Sequence, residues 1–233
     1  MRLTFGRSLA AAAAVGLAFA APASAATIVD WEMNEGPGAT VMVDSAGHVN
    51  GSIGSAVQTG YKVGSVVAYH WVFASPTKPP PKPERLVQAK SDSLNPGSGT
   101  YVVTFRYRTT KHFGNIVQKG QAGSSGGYWK IENPNGQINC VFRGKDSSGT
   151  FHRKAVESPD VLSDGSWHVV RCERTSTGLS LSIDGSVVAT AKGSTATISN
   201  TRPLTIAGKL NCDQVTVTCD YFTGDIDYIK ISN

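Results

Sequence analysis

The chain has 233 residues, of which 40% are hydrophobic, and a formal net charge of +5 from 22 basic and 17 acidic residues. No dense basic run accompanies this mild charge, so nucleic acid is not an expected partner. The length suits one domain and is sufficient to bury a sizeable core.

The first segment has the features of a secretory signal peptide. Arg2 and Arg7 give it a positive start, an apolar run follows from Leu9 to Ala21, and small residues at 23–25 form a cleavage pattern. The competing interpretation is a membrane anchor, but the apolar run is shorter than the ~20 residues that a spanning helix needs. We therefore expect residues 1–25 to be removed and residues 26–233 to form a secreted, extracellular domain without a membrane span.

Most of the remaining sequence consists of short alternating runs separated by Gly, Asn, Asp, Ser and Pro. From Tyr101 to Tyr107, alternate residues are aromatic or apolar, which predicts a strand with one buried face. Asn135-Gly136 and Asp184-Gly185 are dipeptides that tight hairpin turns favour. Strands at intervals of roughly 8–12 residues with turns between them are typical of an all-β sandwich or barrel.

A proline-rich stretch from Ala74 to Leu86 interrupts this pattern. Such stretches often form extended linkers, so two small modules joined by a linker are one interpretation. The piece between residue 26 and this stretch has no cysteine and is too short to bury a core alone. We therefore interpret residues 74–86 as a surface loop within a single domain, and we expect that it can be shortened without unfolding the domain.

The four cysteines are Cys140, Cys172, Cys212 and Cys219. An even number in an exported chain indicates disulfides, and the C-x-x-C spacing of many metal sites is absent. Four cysteines allow three pairings. Because Cys140 and Cys172 both lie within strand patterns, we predict that they join across neighbouring strands, with a stabilisation of ~3 kcal/mol. Cys212 and Cys219 bracket a short segment just before the last strand, so we predict that they join across a local loop.

The chain ends on an alternating run in which Asp227, Ile229 and Ile231 share one face. If the two isoleucines point inward, the carboxylate of Asp227 begins an otherwise apolar face. A buried carboxylate must be paired, hydrogen-bonded or bound to a metal. The closing strand therefore needs a neighbour that satisfies this acid.

An ordered set of motifs covers most of residues 26–233. It comprises "WEMNEGPGATVMVDSAGHVNG", "LSDGSWHVVRCERTSTGLSLSIDGSVVATA", "LTIAG" and "YFTGDIDYIKIS". This set resembles the laminin G-like and concanavalin A-like lectin/glucanase superfamily. The resemblance implies an antiparallel β-sandwich, a jelly roll of two sheets, in which the first strand "IVDWEMN" lies beside the last strand "DIDYIKIS".

The resemblance also implies a structural calcium ion near the first and last strands. The matching ligands would be Asp227, Glu32 or Glu35, and Asn50 with backbone carbonyls of the loop "DSAGHVNG", since calcium takes carboxylate and carbonyl oxygens. The competing interpretation is that Asp227 accepts hydrogen bonds from the backbone amides of that loop without a metal.

Four side chains are candidates for contact with a sugar: Tyr69, Trp71, His112 and Tyr128. Aromatic rings offer an apolar face to a ligand, and Tyr and Trp add a polar tip. Trp129 is a weaker candidate, because it alternates with Ile131 and is expected in the core.

No reaction centre is evident. The Glu-x-Asp-x-x-Glu run of the superfamily's glucanases is absent, and "GSSGG" at residues 123–127 precedes a strand pattern, whereas a nucleophile elbow leads into a helix. We predict a secreted, non-catalytic module that binds carbohydrate or another extracellular polymer, a function that the resemblance implies. The alternatives are a structural or adhesive cell-surface protein that contacts proteins, and a polysaccharide hydrolase or lyase with an unrecognised site.

Overall fold

The computed structural model describes residues 25–74, 81–210 and 219–233. Within these ranges the chain is almost entirely β, with one short helix, α1 Lys82–Arg85, and one 3-10 turn, Asp92–Leu94. In chain order the strands are β1 Thr27–Trp31, β2 Val41–Met42, β3 Gly51–Ile53, β4 Gln58–Val63, β5 Val66–Trp71, β6 Val87–Ala89, β7 Tyr101–Arg108, β8 Phe113–Lys119, β9 Tyr128–Pro134, β10 Asn139–Lys145, β11 Phe151–Glu157, β12 His168–Arg174, β13 Gly178–Ile183, β14 Ser186–Lys192, β15 Leu204–Ile206 and β16 Gly224–Ser232.

The strands form two antiparallel sheets that pack face to face. Sheet A has the order β14-β13-β12-β7-β16-β5-β4, with β1 also paired to β16. Sheet B has the order β11-β10-β9-β8-β15-β6-β3-β2. In strands such as β7 and β12 alternate residues enter the shared core, as the period of two requires. The predicted all-β jelly-roll sandwich is confirmed.

The two terminal strands are neighbours. Along one edge β16 pairs with β7, and along the other it pairs first with β5 and then with β1. Thr27 lies opposite Ser232, and Trp31 lies opposite Ile229. The adjacency of first and last strands that the resemblance implies is therefore confirmed, and β16 becomes a central strand of sheet A.

Both predicted hairpin turns are present. Asn135 and Gly136 have φ of 54° and 85° between β9 and β10, and Asp184 and Gly185 have φ of 50° and 84° between β13 and β14. Positive φ at both central positions is what a type I′ turn demands, and Asn, Asp and Gly tolerate it better than other residues.

The Cys140–Cys172 disulfide crosses the core. It joins β10 of sheet B to β12 of sheet A, with 6.4 Å between the two Cα atoms. The predicted pairing is confirmed, but the expectation of neighbouring strands is wrong, because the two cysteines face each other from opposite layers. The second predicted pair, Cys212 with Cys219, includes a residue outside the described ranges.

Trp129 is fully buried, as predicted.

The C-terminal end of the proline-rich stretch is part of the core. Arg85 and Leu86 have 1% and 0% exposure, and Arg85 donates hydrogen bonds to the carbonyl oxygens of Val72 and Phe222. The interpretation of all of 74–86 as a surface loop is therefore wrong at this end, where a deletion would leave buried carbonyls without a donor. Residues 75–80 of this stretch and the predicted signal peptide, apart from Ala25, lie outside the described residues. No helix in the described ranges is both long and apolar enough to cross a membrane.

A β-bulge between Ile226 and Tyr228 changes the facing of the closing strand. Ile226, Ile229 and Ile231 are all fully buried, although strict alternation cannot place 226 and 229 on one face. The extra residue at the bulge turns Asp227 outward, where its Oδ2 accepts a hydrogen bond from Arg106 Nη1 at 3.1 Å. The expectation that Asp227 shares the inner face of Ile229 is wrong.

Asp44 satisfies the backbone of the loop that follows β2. Its Oδ1 accepts from the amides of Asp30 and Ala46, and its Oδ2 accepts from those of His48 and Val49, all within 2.8–3.0 Å. Burial alone would raise the pKa of this carboxyl, but the four amide hydrogen bonds outweigh burial and hold the pKa below its usual value. The role of loop anchor that the sequence offered to Asp227 belongs to Asp44.

Asp44→Asn should therefore destabilise the domain. A neutral amide cannot accept from four amides as a carboxylate does, so we expect a loss of about 2 kcal/mol or more in the free energy of unfolding, measured by urea denaturation. Because the folded pKa is depressed, the contribution of Asp44 is present above the unfolded pKa and is lost as pH falls through the folded value. The exposed Asp160→Asn is the matched control, and equal losses in the two variants would contradict the assignment.

Candidate ligand-binding face

The outer face of sheet A, on the side away from the core, has two cavities that border β16. The first, the Tyr228 cavity, has a volume of about 600 Å³ and lies between β1, β5, β7 and β16. The second, the His70 cavity, has a volume of about 430 Å³ and lies where β5 and β7 end and β16 begins. Both cavities border β16, so the strand that closes the fold also carries the candidate site.

The Tyr228 cavity mixes hydrogen-bond acceptors and donors around one aromatic ring. Three carboxylates line it, those of Asp30, Glu32 and Asp227. Asp30 pairs with Lys230 at 2.6 Å, and Glu32 accepts from the side-chain amide of Asn34 at 2.9 Å. The bulge brings Asp227 and Tyr228, which are consecutive, to the same outer face.

Tyr228 keeps its phenolic proton in this setting. The side chain is half-buried, and this desolvation raises the pKa of the phenol, helped by the negative charge of Asp227. The hydroxyl can therefore both donate and accept, while the ring provides an apolar face.

The floor of the His70 cavity is a buried carboxylate. Asp225 is 2% exposed, and its Oδ1 is 2.6 Å from His70 Nδ1. Its Oδ2 accepts from Arg108 Nε at 2.9 Å and lies 2.8 Å from Arg108 Nη2. Removing either partner would leave the buried carboxylate poorly satisfied, which is costly, so the three side chains form one connected unit.

Aromatic rings flank this unit on both sides. The ring of Tyr61 stacks on His70 with 4.2 Å between centroids. On the other side the guanidinium groups of Arg106 and Arg108 lie 4.9 and 5.7 Å from the ring of Trp167. Such cation–π contacts restrain the arginines across the outer face.

His168 ties the segment that carries Trp167 to the next hairpin. Its Nδ1 is 2.8 Å from Asp184 Oδ2, and its Nε2 is 3.2 Å from Asp164 Oδ1. Burial alone would lower the pKa of the imidazole, but the two carboxylates outweigh burial and raise it above its usual value.

Three of the four predicted sugar-contacting residues are buried. Tyr69 and Trp71 are 0% exposed and Tyr128 is 7% exposed, so their rings offer no open face to a ligand, although Trp71 lies in the wall of the His70 cavity. The Tyr69 hydroxyl donates to Glu35 at 2.5 Å, and the Trp71 indole donates to the carbonyl of Arg85 at 3.0 Å. This burial disfavours direct stacking by the three rings, and it was not foreseen because alternation alone did not tell which face of each strand was buried.

His112, the fourth candidate, is exposed but lines neither cavity. The residues that build the cavities instead, His70, Arg108, Asp225 and Tyr228, were not predicted as a group. Their contacts join strands far apart in the chain. One signal in the sequence could have indicated that Tyr228 faces outward. Ile226 and Ile229 are an odd number of residues apart, which indicates a bulge when both are buried.

The predicted calcium ligands come together only in part. Glu32 and Asp227 line the Tyr228 cavity, whereas Asn50 does not, and its Oδ1 accepts from the amide of Asp44 at 2.9 Å. Asp227 is engaged by Arg106, so a cation there would compete with a guanidinium. No group of three or more His, Cys, Asp or Glu side chains suited to a metal occurs among the described residues. The calcium site stays a prediction.

The family model described as the concanavalin A-like lectin/glucanases superfamily matches residues 84–233. The protein belongs to this superfamily, as the sequence motifs indicated. A comparison with curated proteins gives no match.

Solved structures of low identity share the fold. Domain 4 of AbnA, a GH43 extracellular arabinanase from Geobacillus stearothermophilus solved with arabinotriose, has a TM-score of 0.62 and 12% identity, over 90% of this chain and 93% of that one. The binding domain of botulinum neurotoxin DC, solved with rat synaptotagmin II, has a TM-score of 0.61 and 13% identity, over 88% of this chain and 48% of that one. The chain thus spans about half the length of the neurotoxin binding domain.

Stability should fall as pH rises through the pKa of His168. Because the folded pKa is raised, the paired imidazolium stabilises the fold fully below the unfolded pKa of about 6.5, and this contribution is lost above the folded value. Because the carboxylates of Asp164 and Asp184 are half-exposed, the contribution of His168 to the free energy of unfolding is limited to about 1 kcal/mol or less. The melting temperature should vary less with pH in His168→Asn than in the wild type, and the exposed His112→Asn is the control. The same pH dependence of the melting temperature in the wild type and in His168→Asn would contradict this role of His168.

The calcium prediction has its own test. If Asp227 binds calcium in the folded state, chelation should lower the melting temperature, because a ligand that binds only the folded state stabilises it. Asp227→Asn should then abolish the difference between calcium and chelator. Wild-type melting curves that coincide in the two conditions would contradict a stabilising, exchangeable calcium ion.

Proposed function

We propose that the protein is a secreted binding module that holds a saccharide chain on the outer face of sheet A. The observation that carries the proposal is the Tyr228 cavity, an open cleft of about 600 Å³ on a rigid sheet. A half-buried ring lies there among carboxylate, amide, hydroxyl and ammonium groups. A sugar presents the complementary surface, with apolar C–H faces and a rim of hydroxyls that both donate and accept.

The polar groups suit recognition of hydroxyls. Carboxylate oxygens of Asp30 and Glu32 accept from a sugar hydroxyl, and Lys230 and Asn34 donate to one. Hydrogen bonds to charged groups are stronger than neutral ones, so a few such contacts fix the orientation of a sugar ring. All four side chains are held by β1, by the segment just after it, or by β16, which are paired to each other.

The carboxylates of this face are arranged for binding more than for acid–base catalysis. Asp30 is paired with Lys230, Asp227 with Arg106, and Asp225 with both His70 and Arg108. A glycosidase needs two carboxyl groups that are free to act on the glycosidic bond. Of the four carboxylates that line the two cavities, only Glu32 has no basic partner among the described residues. These contacts support a binding module over the hydrolase or lyase alternative.

Export from the cell is part of the proposal. The signal-like sequence before residue 26 and the Cys140–Cys172 disulfide both support it, because disulfides persist in oxidising compartments. The arabinanase domain and a botulinum neurotoxin type C structure described by its interaction with two ganglioside molecules share the fold at 12% and 16% identity. They suggest which glycans to try first.

The test is calorimetric titration of the protein with a panel of oligosaccharides, including arabino-oligosaccharides. For any oligosaccharide that binds, Tyr228→Ala should weaken binding about tenfold, which corresponds to ~1.4 kcal/mol for a lost stacking surface. Phe151→Ala is the matched control, since Phe151 is also a partly buried aromatic residue but lies on sheet B and lines neither cavity.

Two results would contradict the proposal. One is the absence of binding across the whole panel, which would favour the adhesive alternative with protein partners. The other is equal weakening by Tyr228→Ala and Phe151→Ala, which would place the ligand elsewhere. An assay for new reducing ends and for unsaturated uronates in the same mixtures reports on hydrolase or lyase activity.

A further inference from the structure

The His70 cavity presents hydrogen-bond donors whose charge is only partly neutralised. Among the described residues, Asp225 contributes the only carboxylate on its wall, and both oxygens of that carboxylate are occupied by His70 and Arg108. Two permanently charged cations, Arg108 and Lys111, share the wall with it. Counted without His70, these groups give the cavity an excess positive charge.

Donor groups remain available after Asp225 has been satisfied. Arg108 directs its Nε and Nη2 at Asp225, which leaves Nη1 without a protein partner in the described part of the chain. Lys111 makes no ion pair there and lies 5.4 Å above the ring of Phe73. Asp164, beside the wall residue Gly165, is already bonded to the amide of Ser166 and to His168.

The same cavity has an apolar rim that the fold does not cover. Phe73 is 63% exposed and Val72 is 44% exposed, immediately after β5. An exposed ring next to an unpaired ammonium group offers a stacking face and a charge to one ligand. The matching chemistry is a ring with an anionic substituent.

We propose that the His70 cavity binds the carboxylate of an acidic sugar, so that the saccharide held on sheet A is a uronate-containing polymer. The carboxylate lies between Arg108 Nη1 and Lys111 Nζ, and the sugar ring lies against Phe73. Asp225 does not contact the ligand; it positions His70 and Arg108. This inference rests on the proposed function, because the His70 cavity then holds an acidic residue of the chain that the Tyr228 cavity also binds.

The experiment compares an oligogalacturonate with a neutral galacto-oligosaccharide of the same length by calorimetric titration. We expect the acidic oligosaccharide to bind at least about tenfold more tightly, which corresponds to ~1.4 kcal/mol. Its advantage should shrink at high salt, because salt screens exposed charges. Galacturonic acid as a monosaccharide forms a third arm, and it should bind much more weakly than the oligomer.

Lys111→Gln and Phe73→Ala are the informative variants, since both side chains are exposed and their loss leaves no buried group unpaired. Each should weaken binding of the oligogalacturonate about fivefold or more, and Lys111→Gln should leave binding of the neutral oligomer unchanged. Lys62→Gln is the matched control, because Lys62 is exposed on β4 of the same sheet and lines neither cavity. Arg108 is not substituted, since Asp225 would remain buried without its main partner.

The outcomes separate this inference from the proposed function. Equal affinity for the acidic and neutral oligomers, or equal effects of Lys111→Gln and Lys62→Gln, overturns the acidic-sugar site and leaves the proposed function standing. Binding of the monosaccharide as tightly as the oligomer also overturns it, in favour of a site for small organic acids. If no saccharide binds, acidic or neutral, the proposed function fails and the inference fails with it.

Discussion

The bulge between Ile226 and Tyr228 is the constraint on which the candidate site depends. The closing strand has to bury Ile226 and Ile229, which are an odd number of residues apart, and still pair with β7 on one side and with β5 and β1 on the other. One extra residue at the bulge reconciles these demands. Its consequence is that Asp227 and Tyr228 both reach the outer face and line one cavity.

Hydrogen bonds and a disulfide hold sheet A in place. β16 is hydrogen-bonded along both edges, and the Cys140–Cys172 disulfide ties β12 of this sheet to β10 of the other. Buried arginines secure the connections: Arg174, for example, donates to the carbonyls of Pro96, Gly97 and Ala196. A ligand on this face therefore meets side chains whose positions are already set, which lowers the entropy lost on binding.

The buried carboxylates of Asp44 and Asp225 are satisfied by different kinds of partner. Asp44 accepts from four backbone amides and holds a loop, so its role is structural. Asp225 is bonded to His70 and Arg108 at the floor of a cavity, so it determines which atoms of those two side chains remain for a ligand. Both solutions satisfy the acid, but only the second places charged donors beside solvent.

The sequence by itself determined the class of fold and the two type I′ hairpins at Asn135-Gly136 and Asp184-Gly185. It also predicted the pairing of Cys140 with Cys172, although across neighbouring strands and not across the core, and the resemblance of its motifs implied that the terminal strands are neighbours. Alternation and turn residues are local signals, so they survive without knowledge of the partner strands. The tertiary structure decided that Tyr69, Trp71 and Tyr128 are buried, and that Asp225, not Asp227, is the buried acid of the last strand. These outcomes depend on a bulge and on contacts such as Asp225 with Arg108, which are 117 residues apart in the chain, and no local period encodes which strand will supply the partner.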